Sequence, residues 1–117
     1  MATELEGNVQ LQRFIALLCD LNHQVVEILK TGKSDILYDM NDTVEEMYSI
    51  QHGNEEEAYT AIEEDCQVIY KNFNAVVTMV RSNEKAWSDK TTSAAIKRFL
   101  QNIFDANVRI VLAYGLA

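Results

Sequence analysis

Apolar residues recur along most of the chain at alternating intervals of three and four positions. This spacing places them on one face of an α-helix, so the pattern predicts helices rather than strands. In the first predicted helix, over about residues 8 to 31, the apolar face consists of Leu11, Phe14, Leu18, Leu21, Val25 and Ile28. Asn8 is a candidate N-cap, and Gly32 is placed to end this helix in a left-handed turn.

Two further helices are predicted from the same spacing. The second opens at Ser34 and Asp35, ends near Ile50 and is the shortest; its apolar face consists of Leu37, Met40, Val44 and Met47. The third runs from Asn54 to about residue 82 and is the longest, with Glu57 in the reciprocal position of a capping box. Its apolar face consists of Tyr59, Ile62, Cys66, Ile69, Phe73, Val76 and Val80.

The fourth predicted helix follows the loop RSNEKAWSDKTTS, where Ser88 or Asp89 is a candidate N-cap. Its apolar face consists of Ile96, Leu100, Ile103, Ile110 and Tyr114, and the tail NVRIVLAYGLA is apolar on nearly every side. Four helices with short connections predict an all-α fold, specifically an antiparallel four-helix bundle. We expect residues 1–117 to form a single domain of this kind.

The composition agrees with a globular helical domain. The chain has 117 residues, of which 48% are hydrophobic and 24% charged, and it contains no proline, the residue that most damages helix interiors. The N-terminal segment MATELEGNVQ lacks the basic start and apolar run of a secretory signal. Cys19 and Cys66 lie far apart without metal-ligand spacing, which favours free thiols. We therefore expect a cytoplasmic protein without a cofactor.

The net charge of −8 is distributed unevenly along the chain. Residues 1 to 70 hold fifteen acidic and three basic side chains, whereas residues 71 to 117 hold seven basic and three acidic ones. One interpretation is an acidic helix packed beside a basic helix in the same bundle. The other is an acidic surface that attracts a basic protein partner. The acidic balance argues against nucleic acid as a partner, and no apolar run is long enough to span a membrane.

Carboxylates cluster on the predicted second and third helices. The helical spacing turns Glu56, Glu57, Glu63 and Glu64 of the third helix outward, as a solvated surface requires. With the carboxylates of the second helix they form a candidate acidic contact surface, whose further members are Asp42, Glu45 and Glu46. An alternative function is a metal-dependent all-α hydrolase of nucleotides or phosphate esters, with these oxygens as ligands of Mg²⁺ or Mn²⁺.

Established metal motifs do not match these carboxylates. All-helical pyrophosphatases place Glu-x-x-Glu on one helix and Glu-x-x-Asp on the next, but here Tyr48 follows Glu45 and Cys66 follows Glu63 at the third position. Neither histidine completes the Glu-x-x-His pattern of carboxylate bundles that hold two irons. The hydrolase therefore remains the alternative and not the first interpretation.

Two other features are candidate contacts with a protein. Trp87, the only tryptophan, lies in the loop before the fourth helix, where it either closes the end of the bundle or contacts a partner. The apolar tail leaves a surplus beyond its buried face at Val108, Val111 and Leu112. A symmetric homodimer through this helix is a common way to bury such a surplus.

The function that we expect is therefore non-enzymatic. Small acidic helical proteins of this kind act as inhibitors, immunity proteins, secretion chaperones or adaptors, each by binding another protein. That comparison rests on the helical pattern alone and not on matching residues.

Overall fold

The fold is all-helical over the part of the chain that the structure, a computed structural model, describes. These residues are 9–53, 57–83 and 85–114, without the side chains of residues 57 and 58. Four long helices are formed by Val9–Thr31 (α1), Ile36–His52 (α2), Glu63–Ser82 (α4) and Lys90–Ala113 (α5). A single helical turn, Glu57–Thr60 (α3), precedes α4. The described residues contain no strand, so the all-α class is confirmed for them.

The helix lengths agree with the prediction only in part. At 17 residues α2 is the shortest of the four long helices, as expected. The predicted third helix is interrupted, so that its main part, α4, has 20 residues, whereas α5 has 24. The predicted N-cap of that helix, Asn54, lies outside the described residues.

The interruption falls at residues 61 and 62, where the chain turns between α3 and α4. Ile62 has φ −110° and ψ 8°, which is outside the helical range. Tyr59, before the turn, and Ile62, within it, are both buried. The Tyr59 ring packs edge-on against Phe14 of α1, with the ring centroids 5.7 Å apart. Tyr59 therefore contacts α1, and Ile62 is buried in the same core.

One hydrophobic core is shared by all the helices. The apolar faces that the spacing predicts are buried along α1, α2, α4 and α5, with Val80 alone partly exposed. Within this core α4 packs against α5, and α1 packs against both α2 and α5. Burial of one stripe per helix leaves the opposite faces to solvent, and those faces carry the charged residues.

A buried amide lies inside this apolar contact. Asn107 of α5 is 0% exposed, and its Nδ2 donates a hydrogen bond of 2.8 Å to the carbonyl oxygen of Leu18 in α1. The Asn107 Oδ1 has no hydrogen-bond partner among the described residues. An unsatisfied buried acceptor costs about 1–3 kcal/mol, which offsets the contribution of the hydrogen bond to Leu18, so this contact adds little net stability.

The helix ends follow the local sequence. Gly32 adopts φ 64° and its amide donates to the Ile28 carbonyl, so the predicted left-handed end of the first helix is confirmed. Asp89 is the N-cap of α5, because its carboxylate accepts from the Thr91 amide and the Thr92 hydroxyl. These hydrogen bonds lower the pKa of Asp89.

Gly32→Ala should destabilise the protein by about 1–2 kcal/mol, because a side chain at positive φ strains the backbone. A Cβ at this position would meet only an ordinary contact 4.0 Å from Trp87, so the loss reports the backbone alone. Urea denaturation measures the change. Gly32→Asn is the matched control and should lose less, since asparagine tolerates the left-handed conformation. Equal losses for the two variants would contradict this account.

The free energy of unfolding should fall as the pH rises above about 9. Burial raises the pKa of the Cys66 thiol from 9.0 to about 12, and it also raises the pKa of the Tyr70 and Tyr114 hydroxyls. The unfolded chain therefore releases these protons at lower pH than the folded chain. Between its unfolded and its folded pKa, each group lowers the free energy of unfolding by about 1.4 kcal/mol per pH unit. The contribution of Cys66 to the free energy of unfolding is therefore fully present below pH 9 and is lost as the pH rises toward 12.

Urea denaturation between pH 8 and pH 11 tests this pH dependence. Cys66→Ala should decline less steeply than the wild type, because one of the buried groups is gone. Cys19→Ser, which changes an exposed thiol, should keep the wild-type slope. A free energy of unfolding that stays constant over this range would show that the buried groups are not linked to folding.

Candidate functional site: an acidic protein-contact surface

The acidic residues of α2 differ in their surroundings. Asp42 and Glu45 are exposed and form no ion pair among the described residues. Glu46 instead faces α1, where Arg13 donates to it through Nε and through Nη2, the latter at 2.9 Å. The hydrogen bonds from Arg13 lower the pKa of Glu46. Glu46 thus links two helices, while Asp42 and Glu45 are available to solvent or a partner.

The acidic residues at the start of α4 follow the same division. Glu63 and Glu64 are exposed in its first turn, where the helix dipole favours negative charge. Asp65 accepts a hydrogen bond of 2.8 Å from Nε of Arg109 in α5. Glu56 lies outside the described residues, and Glu57 begins α3 with its side chain also outside them.

The carboxylates do not converge on one point in the described part of the chain. No group of three or more His, Cys, Asp or Glu residues there is arranged to hold a metal ion. Of the carboxylates considered as ligands, Asp42 and Glu45 lie on α2 and Glu63 and Glu64 on α4, and all four are exposed. What this geometry can do chemically is attract and pair with cationic groups.

Two exposed tyrosines on α2 were not identified from the sequence. Tyr38 is 74% exposed and Tyr48 is 47% exposed. Tyr38 directly follows the buried Leu37, and Tyr48 directly follows the buried Met47. Helical spacing alone therefore does not decide whether either tyrosine lies on the buried or the exposed face of α2. Their exposure beside unpaired carboxylates is the signal that identifies them.

The position of Tyr48 is fixed by its neighbours. Its ring lies against the His52 ring, with centroids 3.9 Å apart, and edge-on to Tyr70 of α4 at 5.3 Å. Tyr70 in turn donates a hydrogen bond of 2.7 Å to the Gln51 side chain of α2. These contacts hold a partly exposed aromatic ring at the boundary between α2 and α4.

Trp87 is held between the two connections that follow α1 and α4. Its Nε1 donates a hydrogen bond of 2.9 Å to the Ser34 hydroxyl, and its ring lies over Gly32. The indole is partly buried against the core. The indole therefore lies where these two connections meet, and a contact between Trp87 and a partner stays a prediction.

The end of α5 carries an apolar patch, which consists of Val108, Val111 and Leu112. Val108 is 38% exposed and Leu112 is 55% exposed, whereas Val111 is partly buried. The neighbouring Ile110 and Tyr114 belong to the core. The surplus of apolar residues in the tail therefore lies partly on the surface.

Among the described helices, none combines the length and the apolar character that crossing a bilayer requires. Comparison of the chain with protein-family models, with curated proteins and with solved structures gave no match.

Proposed function

We propose that the chain is a non-enzymatic protein that binds another protein with a basic surface, in the manner of an inhibitor, immunity protein, chaperone or adaptor. The observation that carries the proposal is the exposure of Asp42, Glu45, Glu63 and Glu64 without ion pairs among the described residues. Like charges kept unpaired on a surface cost stability and attract a partner of opposite charge. A cytoplasmic location is part of this proposal.

The arrangement that we propose for the helices is an antiparallel bundle. Asp65 pairs with Arg109 and Asn72 pairs with Asn102, so the paired positions rise along α4 while they fall along α5. Arg13 near the start of α1 pairs with Glu46 near the end of α2, which is the same relation. We expect this frame to present the outer helix faces without rearrangement on binding.

The expected contribution of these charges is to the rate of association. Complementary potentials steer diffusional encounter and raise association rates, and the effect falls steeply as salt is added. The carboxylates on α2 and at the start of α4 are exposed, so their effect on dissociation is smaller. This pattern suits a protein that must find its partner quickly.

A homodimer through α5 is the second part of the proposal. The apolar patch of Val108, Val111 and Leu112 is the surface that a second copy would cover. A symmetric contact between two α5 helices uses the same patch twice, as two-fold interfaces do.

Neutralising the four exposed carboxylates should slow binding. We expect Asp42→Asn, Glu45→Gln, Glu63→Gln and Glu64→Gln in one variant to lower the association rate about tenfold or more at low salt. Basic proteins that the immobilised wild type retains are isolated first. Surface plasmon resonance then measures their association with the wild type and with the variant. The dissociation rate should change less. If the variant retains the same proteins at unchanged rates, the acidic surface is not the contact.

Val108→Asp should reduce the molar mass in solution from that of two chains to the 13.3 kDa of one, because a charge in the apolar patch opposes its burial. Analytical ultracentrifugation measures the mass. Val26→Asp is the matched control, since both valines are 38% exposed and Val26 lies on α1. A wild-type protein that sediments as one chain would remove the homodimer and leave the binding function in place.

A further inference from the structure

The outward face of α2 has an unusual charge composition. The helix contains four carboxylates, at Asp39, Asp42, Glu45 and Glu46, and no lysine or arginine. Of these four carboxylates, only that of Glu46 is in an ion pair among the described residues, and its partner is Arg13 of α1. The remaining negative charges have no compensating cation on the same helix.

Two tyrosines flank the unpaired carboxylates. Tyr38, Asp42, Glu45 and Tyr48 follow one another at steps of four, three and three residues, which keeps them on one side of the helix. At 1.5 Å per residue, the two tyrosines are about 15 Å apart along the axis. We call these four residues the α2 surface.

The α2 surface combines the two groups that recognise arginine and lysine. A carboxylate pairs with the charge of the cation, and the face of an aromatic ring attracts a cation placed over it. Tyrosine is also enriched among the residues that dominate binding energy at interfaces. Because its neighbours already hold the Tyr48 ring, binding need not order that side chain.

We propose that the α2 surface docks an arginine- or lysine-bearing segment of a partner protein, with the cationic side chains placed between Tyr38 and Tyr48 and paired with Asp42 and Glu45. This inference rests on the proposed function and adds to it the location of the contact and the chemistry of the segment. Charge complementarity selects the occupant, since an acidic or neutral segment would leave the carboxylates desolvated and unpaired.

The other exposed acidic pair lacks this combination. Glu63 and Glu64 lie at the start of α4, where the described residues include no large exposed aromatic side chain. The neighbouring Asp65 is already paired with Arg109. The two pairs therefore provide a matched comparison, because neutralising either removes two negative charges from an exposed helix.

The test uses a fluorescently labelled alanine-based helical peptide with four arginines on one face, and binding is followed by fluorescence anisotropy at 50 mM and 150 mM salt. Asp42→Asn with Glu45→Gln should raise the dissociation constant about tenfold. Glu63→Gln with Glu64→Gln, the same change in net charge, should raise it less than twofold. Tyr38→Leu should weaken binding about threefold, and Tyr38→Phe should stay within twofold of the wild type, because only the phenylalanine keeps the ring.

Folding is not at risk in these variants, since all the substituted side chains are exposed, and a thermal melt of each variant verifies it. If the two double variants weaken peptide binding equally, the α2 surface is not the specific contact, and the proposed function is left standing. No binding at 50 mM salt would overturn both this inference and the basic partner. The molar mass of the unliganded protein is also compared with that of the Asp42→Asn, Glu45→Gln variant. A difference would identify a second copy of the chain as the occupant and overturn docking of a segment from another protein.

Discussion

Each long helix can bury only one stripe of its surface, and the rest of the structure depends on this constraint. The four stripes meet in one core that contains aliphatic side chains together with Phe14, Tyr59 and Phe73. Since burial of apolar surface is the main favourable term in folding, these stripes determine which faces pair. No charged side chain of the described residues is buried. The surfaces that the chain offers to other molecules are therefore the outer faces of the helices.

The sequence predicted the features that arise from local spacing. The buried residues of α1, α2 and α5 follow from the steps of three and four, and the left-handed Gly32 and the capping Asp89 follow from the preferences of single residues. The turn before α4 was not predicted, because residues 60 to 63 contain neither glycine nor proline. Tyr59 and Ile62 are both buried, as the apolar spacing of a continuous helix also predicts, so no local residue pattern marks the turn.

The candidate site was predicted in its charges and not in its contacts. Exposure of Glu63 and Glu64 followed from their helical positions, but the partners of Glu46 and Asp65 are residues 33 and 44 positions away. Such pairs depend on which helices are neighbours, and no local pattern contains that information. Tyr38 and Tyr48 were missed for a related reason: they lie at the border of the apolar stripe, where only the packed structure distinguishes core from surface.

Trp87 and Ser34 are 53 positions apart, and their hydrogen bond has a consequence for how the chain folds. The contacts of α1 with α2 and of α4 with α5 join helices that are consecutive or nearly so in sequence, so each pair closes a short loop. The indole meets Ser34 only when the two pairs have docked, so its environment reports that docking step. The chain has no proline and therefore no slow prolyl isomerisation to delay that step. Emission from this single tryptophan can follow assembly of the whole core in the unmodified protein, without an introduced label.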